Sequence, residues 1–198
     1  MPRIFIAIPL PPDLAQKAAA LVPDHPALRR VDPALLHFTL AFVGSLPEER
    51  VADVAEAVTA AGNGVRAFRM SLDEVGRFPP SGLPRVIWAG SGDPAAGSRL
   101  VELGAAVRAE LARRSVPFDA KPLLPHVTLA RVRDGATRDD AQAIRGSLAV
   151  VRVPAGLGFD AQVVHVMESV LGPKGPRYST RAEIALREQR GEDRPPAA

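Results

Sequence analysis

The sequence predicts an α+β fold, built as two similar halves within a single domain that spans residues 1–187. Predicted strands and helices are mixed, but they do not alternate regularly as they do around a parallel doubly wound sheet. Several strands follow one another through short turns, which favours antiparallel pairing. Two segments about half a chain apart nearly repeat each other, and no linker-like stretch divides them. The two halves are therefore expected to share a close interface.

Hydrophobic patterns define the elements of the N-terminal half. Residues 3–10 alternate as a strand, with isoleucines on one face and Phe5 and Ala7 on the other. Pro12 and Asp13 begin a short Ala-rich helix. The next predicted elements are a strand over 36–43, an amphipathic helix that begins at Pro47, and strands over 68–75 and 85–89 on either side of a Pro- and Gly-rich loop.

The C-terminal half has a similar mixture. Asp93 as N-cap and Pro94 at the first helical position predict a helix start, and they explain the preceding glycines better than a phosphate-binding loop does. Four apolar residues at helical spacing mark the core stripe of this helix: Leu100, Leu103, Val107 and Leu111. The remaining elements are a strand over 127–132, a helix over 137–148, strands over 163–171 and 178–186, and a charged tail over 188–198 that is expected to be disordered.

Length and composition restrict the class of protein. The chain has 198 residues and is 46% hydrophobic and 24% charged, close to globular averages, which excludes a disordered or fibrous protein. No apolar run approaches the roughly 18 residues of a membrane helix, and residues 4–10 lack the features of a signal peptide. The absence of cysteine excludes disulfides, thiol nucleophiles and iron–sulfur clusters. We expect a cytoplasmic, monomeric enzyme.

The charge of the chain points only weakly to nucleic acid. The sequence pI is about 9.9, but the formal net charge is only +3. Of the 25 basic residues 22 are arginines, whose high pKa raises the pI without a large net charge. A clustered basic patch, rather than a high pI, is the electrostatic footprint of a nucleic-acid-binding surface. The overall charge therefore does not decide the partner.

A duplicated motif is the strongest chemical signal in the chain. Residues 35–41 read LLHFTLA and residues 124–130 read LPHVTLA, so that His37 and His126 lie 89 residues apart, each with threonine two positions later. The chain has only four histidines and five threonines, which makes two chance pairs improbable. The spacing is far longer than that of a solenoid repeat and indicates an internal duplication.

The spacing within each motif places histidine and threonine on one face of a strand. Residues i and i+2 of a strand point the same way, so His37 and Thr39 project together, as do His126 and Thr128. If the halves face each other, one cleft receives two imidazoles and two hydroxyls. One imidazole can be neutral and act as a base while the other is charged and acts as an acid, and threonine hydroxyls can donate to anionic oxygens. This set of groups suits hydrolysis of a phosphodiester.

Two other interpretations of the histidines are weaker. A single histidine on a strand is usually structural, but that does not explain a duplicated pair. Catalytic zinc usually has three protein ligands, and no carboxylate stands at helical or strand spacing from either motif. We therefore expect a site that uses neither a metal nor a cofactor.

The motifs resemble those of the 2H phosphoesterase superfamily, and most closely those of the prokaryotic RNA 2′,3′-cyclic phosphodiesterases, historically called 2′-5′ RNA ligases. The resemblance implies a bilobal α+β fold, with two pseudo-symmetric antiparallel sheets that line a central cleft and helices on the outside. It covers residue 3 to about residue 186. Beyond the two motifs it rests on residues 3–10 (RIFIAIPL), 42–44 (FVG), 47–50 (PEER), 84–90 (PRVIWAG), 129–131 (LAR) and 171–178 (LGPKGPRY).

The resemblance also implies an activity and roles for individual residues. The activity is hydrolysis of a 2′,3′-cyclic phosphate, at an RNA end or in a small nucleotide, to a 2′-phosphate with a free 3′-hydroxyl. By resemblance His126 is the base that activates water and His37 the acid that protonates the departing oxygen, although the near-symmetric motifs alone do not fix this order. Arg131 matches a position that meets phosphate. Strict strand alternation places it on the face opposite His126 unless the strand ends or bulges there.

Aromatic residues are candidates for substrate binding. Phe5 can floor the cleft or stack on a base, and Phe78, in a Pro-rich loop, can stack on an unpaired base; each can equally be a packing residue. Tyr178 and His165 are interpreted as structural. Relatives often have Trp-Val-Pro ahead of the first motif, Asn before its Leu-His, and Lys at the position of Ala41, so substrate contacts around that motif are expected to differ.

Three functions remain open at this point. They are a cyclic phosphodiesterase, a 2′-5′ RNA ligase or 2′-5′ phosphodiesterase with the same fold, and an RNA-binding module without significant catalysis. The paired motifs argue against the last, because a binding module needs no acid and base. For the first we predict a bell-shaped pH–rate profile around neutrality and insensitivity to chelators.

Overall fold

The structure, a computed structural model, describes residues 1–173 and 175–188. The tail predicted to be disordered, residues 188–198, lies outside the described residues except for Glu188. The helices are α1 (Pro12–Ala19), α2 (Val51–Gly62), α3 (Pro94–Arg113) and α4 (Arg138–Ala149). The strands are β1 (Arg3–Pro9), β2 (Leu28–Arg30), β3 (His37–Ser45), β4 (Phe68–Ser71), β5 (Glu74–Phe78), β6 (Val86–Gly90), β7 (Val127–Val132), β8 (Gly158–Ala161), β9 (Val163–Gly172) and β10 (Gly175–Ala185).

The strands form one large antiparallel sheet and one small one. The order in the large sheet is β10-β9-β1-β3-β7-β6-β5, with β2 paired to β7, whereas β4 and β8 pair with each other. The large sheet consists of a terminal half-sheet, β10-β9-β1-β3, formed by the two ends of the chain, and a middle half-sheet, β7-β6-β5, which meet at the residue pair Phe38 and Val127. The predicted α+β class with antiparallel pairing is confirmed, and β2 adds a second connection by pairing with β7.

One face of the large sheet carries the hydrophobic core. Ile4, Ile6 and Ile8 of β1 are at most 2% exposed, as their alternation predicts, and each such burial contributes about 1.5–3 kcal/mol. Phe159 of β8 stacks on Phe38 at 6.5 Å between ring centroids, so the small sheet covers the same face. Helices α2 and α3 pack against each other and against strands of both sheets. The predicted stripe of α3 is fully buried: Leu100, Leu103, Val107 and Leu111.

Side-chain caps fix where the two longest C-terminal helices begin. The Asp93 carboxylate accepts a hydrogen bond from the backbone N–H of Ala95 at 2.9 Å, and Pro94 takes the first position of α3, as predicted. Thr137 and Asp140 form a reciprocal capping box at the start of α4. Each cap satisfies backbone donors that the first turn leaves without an intrahelical partner. None of the described helices combines the length and apolarity needed to span a membrane.

Short polar strands are where the fold differs from the sequence prediction. The predicted strand over 68–75 is two strands, because the chain changes partner at Leu72 and Asp73: the backbone N–H of Leu72 donates to Leu157, and that of Asp73 donates to Gly90. Strand β4 therefore pairs with β8, and β5 with β6. Strands β2 and β8 are not predicted, because they are only three and four residues long, too short for a hydrophobic pattern to indicate a strand.

Candidate active site

The two His-x-Thr segments meet where the half-sheets join. Phe38 of β3 faces Val127 of β7, and both side chains are fully buried on the core face. Residues before and after them point the other way, because side chains alternate along a strand. Four partly exposed side chains therefore surround the pair on the opposite face, which we call the cleft face: His37, Thr39, His126 and Thr128.

The antiparallel register arranges these four side chains as a rectangle. The pairing of β3 with β7 sets His37 opposite Thr128, and Thr39 opposite His126. The Cα atoms are roughly 5 Å apart across the strands and roughly 7 Å apart along each strand. The two histidines occupy a diagonal on the order of 8 Å between Cα atoms, which leaves room for a phosphate group between their rings. A pseudo-twofold axis passes through the centre of this rectangle.

Identical hydrogen bonds orient the two imidazole rings. Nδ1 of His37 lies 2.7 Å from the carbonyl oxygen of Leu35, and Nδ1 of His126 lies 2.7 Å from that of Leu124. A carbonyl oxygen can only accept, so Nδ1 carries a proton and donates in both rings. Nε2 is therefore the atom of each ring that gains or loses a proton.

Burial lowers the pKa of both histidines below the usual value for histidine. For His37 burial is the largest cause, the hydrogen bond to the Leu35 carbonyl partly offsets it, and the charge of His126 lowers the pKa further. For His126 burial again comes first, the Leu124 carbonyl offsets it, and the charge of Arg131 lowers the pKa further. Because a charge on His126 disfavours a charge on His37, the state with one neutral and one protonated ring is favoured over the doubly protonated state.

A β-bulge recurs three residues after each histidine. The register of β7 with β6 shifts so that Leu129 has no partner, and the register of β3 with β1 shifts in the same way at Leu40. A bulge reverses the alternation beyond it, so Arg131 leaves on the cleft face. Residues 37–42 and residues 126–131 consequently show the same sequence of buried and exposed positions. From the sequence, Arg131 lies on the face of His126 only if the strand ends or bulges before it, and the structure has this bulge.

Aromatic rings surround the first histidine. The ring centroid of Phe5 lies 5.0 Å from that of His37, and Tyr178 lies edge-on to His37 at 5.6 Å and to Phe5 at 4.9 Å. Phe5 is only 3% exposed, so it forms the floor beneath His37. Phe42, which occupies the position equivalent to Arg131, is 52% exposed and lies 6.1 Å from Phe5. Tyr178, interpreted as structural from the sequence, thus contacts a candidate catalytic residue.

The second histidine has a more open surrounding. Phe78 lies edge-on to His126 at 5.1 Å and stacks on Trp88 at 5.3 Å. Trp88 pairs with Thr128 on one side and with Gly76 on the other. A Cβ atom at Gly76 would overlap the indole ring, so glycine makes room for Trp88. Phe78 and Trp88 line an open cavity of about 640 Å³, whose wall also includes Val101, Leu124 and Pro125. The sequence predicts Phe78 near the site and misses Trp88, because a tryptophan inside a strand reads as a core residue.

A third histidine lies on the cleft face but outside the rectangle. Ala7 separates Thr39 from His165 in the terminal half-sheet. Nδ1 of His165 lies 3.5 Å from the hydroxyl of Thr180 and 3.9 Å from the carboxylate of Glu183. Burial lowers its pKa, and the carboxylate partly offsets this effect. Its polar contacts are made within its own hairpin, consistent with a structural role.

Known proteins match this chain over nearly its whole length. The RNA 2′,3′-cyclic phosphodiesterase of Thermus thermophilus is 33% identical over 96% of this chain and 93% of that protein. The RNA 2′,3′-cyclic phosphodiesterase of Archaeoglobus fulgidus is 28% identical over 89% of this chain and 96% of its own length.

Solved structures agree with this relationship. The protein TT0787 of Thermus thermophilus matches with a TM-score of 0.74 and 28% identity, and it covers 95% of this chain and 100% of its own. LigT of E. coli, solved in complex with 3′-AMP, matches with a TM-score of 0.71 and 25% identity over 94% of this chain and 99% of its own. The family described as LigT like Phosphoesterase matches residues 8–88 and 92–178. Since each matched stretch holds one His-x-Thr strand of the site, as the motifs predict, this chain belongs to the LigT-like phosphoesterase family.

Proposed function

We propose that this protein is a metal-independent phosphodiesterase that hydrolyses the 2′,3′-cyclic phosphate of an RNA end or small nucleotide to a 2′-phosphate. The rectangle of two imidazoles and two hydroxyls around the Phe38–Val127 pair carries this proposal. The relatives named RNA 2′,3′-cyclic phosphodiesterase, and the complex of E. coli LigT with 3′-AMP, support a nucleotide substrate.

The reaction needs one neutral and one protonated imidazole. Nε2 of His126 takes a proton from a water molecule as the water oxygen bonds to phosphorus. The bond from phosphorus to the 3′-oxygen breaks, and Nε2–H of His37 gives its proton to that oxygen. The products are a 2′-phosphate and a 3′-hydroxyl, and exchange of protons with solvent returns the two rings to their starting states.

Two effects act in opposite directions on the roles of the two rings. The positive charge of Arg131 lowers the pKa of His126, which favours the neutral, proton-accepting form of this ring. Burial lowers the pKa of His37, and the charge of His126 lowers it further, which favours the neutral form of His37. The assignment of His126 as the base therefore rests on the resemblance of the motifs to those of the family.

The threonines are assigned to the non-bridging phosphate oxygens. Among the described residues, neither the Thr39 nor the Thr128 hydroxyl hydrogen-bonds to another protein group. Each hydroxyl is therefore available to donate to an oxygen whose negative charge grows in the transition state. Arg131, whose charge acts on His126, is assigned to the same anionic group. Phe5 is assigned to support the ring of His37, and Phe78, on the wall of the cavity, to contact a base.

The residues of the site favour catalysis without a metal. In the part of the chain that the structure describes, no three histidine, aspartate or glutamate side chains stand together as metal ligands. The positive charges available to the phosphate are instead those of protonated imidazole and arginine. These groups supply both the proton transfers and the charge stabilisation that the reaction requires.

The proposal is tested by turnover of an oligonucleotide that ends in a 2′,3′-cyclic phosphate, in the presence of a chelator. We expect full activity with chelator and little activity on an oligonucleotide with an internal 2′-5′ linkage. A strict need for added divalent metal would contradict the two-histidine mechanism. Faster turnover of the 2′-5′ linkage than of the cyclic phosphate would favour the alternative 2′-5′ phosphodiesterase.

A further inference from the structure

Tyr178 is a polar side chain of the cleft that the proposed reaction does not use. It is half-buried on β10, and its ring lies edge-on to Phe5 at 4.9 Å and to His37 at 5.6 Å. Phe5 is only 3% exposed, so the tyrosine ring covers it and stands beside the first histidine. Tyr178 therefore forms a wall of the cleft at the end where His37 lies.

The hydroxyl of Tyr178 is free to bind a ligand. Among the described residues it makes no hydrogen bond with another protein group. The next side chain on the same face of β10 shows the contrast, because the hydroxyl of Thr180 donates to Sδ of Met167 at 3.5 Å. Packing against Phe5 requires only an aromatic ring, and a tyrosine hydroxyl in a partly buried place usually has a hydrogen-bond partner. The free hydroxyl points to a partner that the substrate supplies.

The charges that act on Tyr178 show that its hydroxyl is directed toward the cleft. Burial raises the pKa of this tyrosine, and the charges of Arg131 and Arg3 partly offset the effect. Arg131 belongs to β7, on the far side of the His-x-Thr rectangle from β10, and its charge also acts on His126. With a raised pKa the hydroxyl keeps its proton at neutral pH and can donate it in a hydrogen bond.

The roles of the two histidines determine which end of the cleft receives the sugar. In phosphoryl transfer the attacking and leaving oxygens lie roughly in line on opposite sides of phosphorus. In the proposed reaction the water lies at His126 and the leaving 3′-oxygen at His37. Because the 3′-oxygen is bonded to the ribose, the ribose extends on the side of His37. The wall at that end consists of Phe5 and Tyr178, and only Tyr178 has a hydrogen-bond donor there.

We infer that Tyr178 binds the ribose of the reacting nucleotide, with its ring beside the sugar and its hydroxyl donating to a sugar oxygen outside the cyclic phosphate. A phenol suits this place because it combines an apolar ring with a polar tip. The inference rests on the proposed function and deepens it, since it makes the sugar, and not only the cyclic phosphate, part of what the site recognises. It also assigns a substrate contact to a residue that the sequence indicates to be structural.

The test compares two substrates that share the reacting group and differ in the sugar. Adenosine 2′,3′-cyclic phosphate and ethylene cyclic phosphate contain the same five-membered cyclic phosphate, but the second has no ribose. For Tyr178→Phe, which keeps the ring and removes the hydroxyl, we expect kcat/KM to fall roughly fivefold on the nucleotide and to stay unchanged on ethylene cyclic phosphate. Thr180→Val is the matched control on the same face of β10, and it should keep both values within about twofold of wild type.

A binding measurement tests the same hydroxyl without turnover. Calorimetry should show that adenosine 2′-phosphate binds roughly fivefold more weakly to Tyr178→Phe than to wild type, whereas inorganic phosphate binds both equally. An NMR titration of His37 should be the same in Tyr178→Phe and wild type, because the ring contact with the imidazole is kept. A purely structural tyrosine would leave both affinities unchanged.

The outcomes separate this inference from the proposed function. An equal loss on both substrates, or weaker binding of inorganic phosphate, would place the hydroxyl at the phosphate or at His37 and overturn the inference. Unchanged rates with unchanged affinities would overturn it as well. A wild-type enzyme that hydrolyses neither substrate contradicts the proposed function instead. In that case, and also if only the nucleotide is turned over, the two binding measurements still decide whether Tyr178 binds the ribose.

Discussion

The two halves of the cleft share one His-x-Thr unit but differ in what surrounds it. Each supplies a histidine whose Nδ1 donates to the carbonyl oxygen two residues earlier, a threonine on the same face, and a bulge after it. Around His37 the rings of Phe5 and Tyr178 form a closed, aromatic wall. His126 is affected by the charge of Arg131, which forms no ion pair within the described residues, and an open cavity lies beside Phe78.

This difference teaches which parts of the site the duplication determines. The repeated parts place two equivalent imidazoles on one face of the sheet, and symmetry alone gives neither ring the role of acid or base in the proposed reaction. The residue five positions after each histidine breaks the symmetry, since it is Phe42 in one half and Arg131 in the other. The charge of Arg131, which has no counterpart at Phe42, makes the pKa values of the two histidines respond to different surroundings.

Removal of either imidazole should have the largest effect, because both halves are needed for one turnover. We expect His37→Ala and His126→Ala each to lower kcat by about 10²- to 10⁴-fold on a 2′,3′-cyclic phosphate substrate, the usual contribution of a positioned acid or base. His165→Ala is a matched control on the same face of the sheet, and it should keep activity within about twofold of wild type. Near-normal activity in either motif variant would show that the two halves do not act as a pair.

Loss of a threonine hydroxyl should have a smaller effect that is similar in the two halves. Thr39→Val and Thr128→Val keep the shape of the side chain and remove a donor to the non-bridging oxygens. We expect each to lower kcat by roughly 10- to 100-fold, with less change in KM. Thr59→Val is the control, since this exposed threonine donates to the backbone of Ala55. A loss confined to one threonine would mean that the phosphate is held by one half alone.

The sequence predicts the repeated parts of this site better than the unequal parts. Strand periodicity alone places His37 with Thr39 and directs Phe38 into the core, and the structure confirms both positions. The face of Arg131 depends on the bulge at Leu129, which arises from pairing with a neighbouring strand and leaves no mark in a local hydrophobic pattern.

Local sequence patterns do not predict contacts between segments that are distant in the chain. Tyr178 reads as an ordinary residue at the start of a strand, and only the order of β10, β9, β1 and β3 brings it to His37. Trp88 reaches Thr128 and Phe78 only through the pairing of β6 with β7 and with β5. In each case the functional neighbour is determined by strand order and register rather than by local spacing.

Removal of the charge that distinguishes the halves should change the titration of one histidine. The Arg131 guanidinium lowers the pKa of His126, so Arg131→Gln should raise that pKa and change the pKa of His37 less. We expect kcat/KM to fall by roughly tenfold as a charge-assisted contact to substrate is lost. An NMR titration of the two imidazoles measures the shifts directly. Equal shifts, or no shift at His126, would contradict the effect of the Arg131 charge on His126.

The pH dependence of kcat/KM should reflect the lowered pKa that burial gives to the histidine of each half. Burial lowers the pKa of both histidines below the usual value of about 6.5, so the bell-shaped profile of kcat/KM should lie on the acidic side of neutrality. This direction sharpens the profile predicted from the sequence. A profile of kcat/KM that rises steadily above pH 7 would contradict it.

The same shifts predict a small effect on stability. Between the lowered pKa of the folded protein and about 6.5 the unfolded chain binds more protons, so stability rises with pH in that window. The contribution of the two histidines is therefore fully present above about pH 6.5 and is lost as the pH falls below it. Urea unfolding at about pH 7.5, above that window, and at about pH 5.5 should show a larger loss of stability at the lower pH in wild type than in His37→Ala. An equal loss would mean that the His37 pKa is not lowered by folding.

The central claim is that two equivalent histidines divide the proton transfers of one reaction at a cyclic phosphate, one ring acting as base and the other as acid. The most direct test is product analysis by mass spectrometry of an RNA oligonucleotide that ends in a 2′,3′-cyclic phosphate, digested in ¹⁸O-labelled water with a chelator present. We predict a 2′-phosphate that carries one ¹⁸O atom beside a free 3′-hydroxyl, formed by wild type and greatly reduced in both His37→Ala and His126→Ala. A 3′-phosphate product, or the same product from either histidine variant at the wild-type rate, would contradict the account.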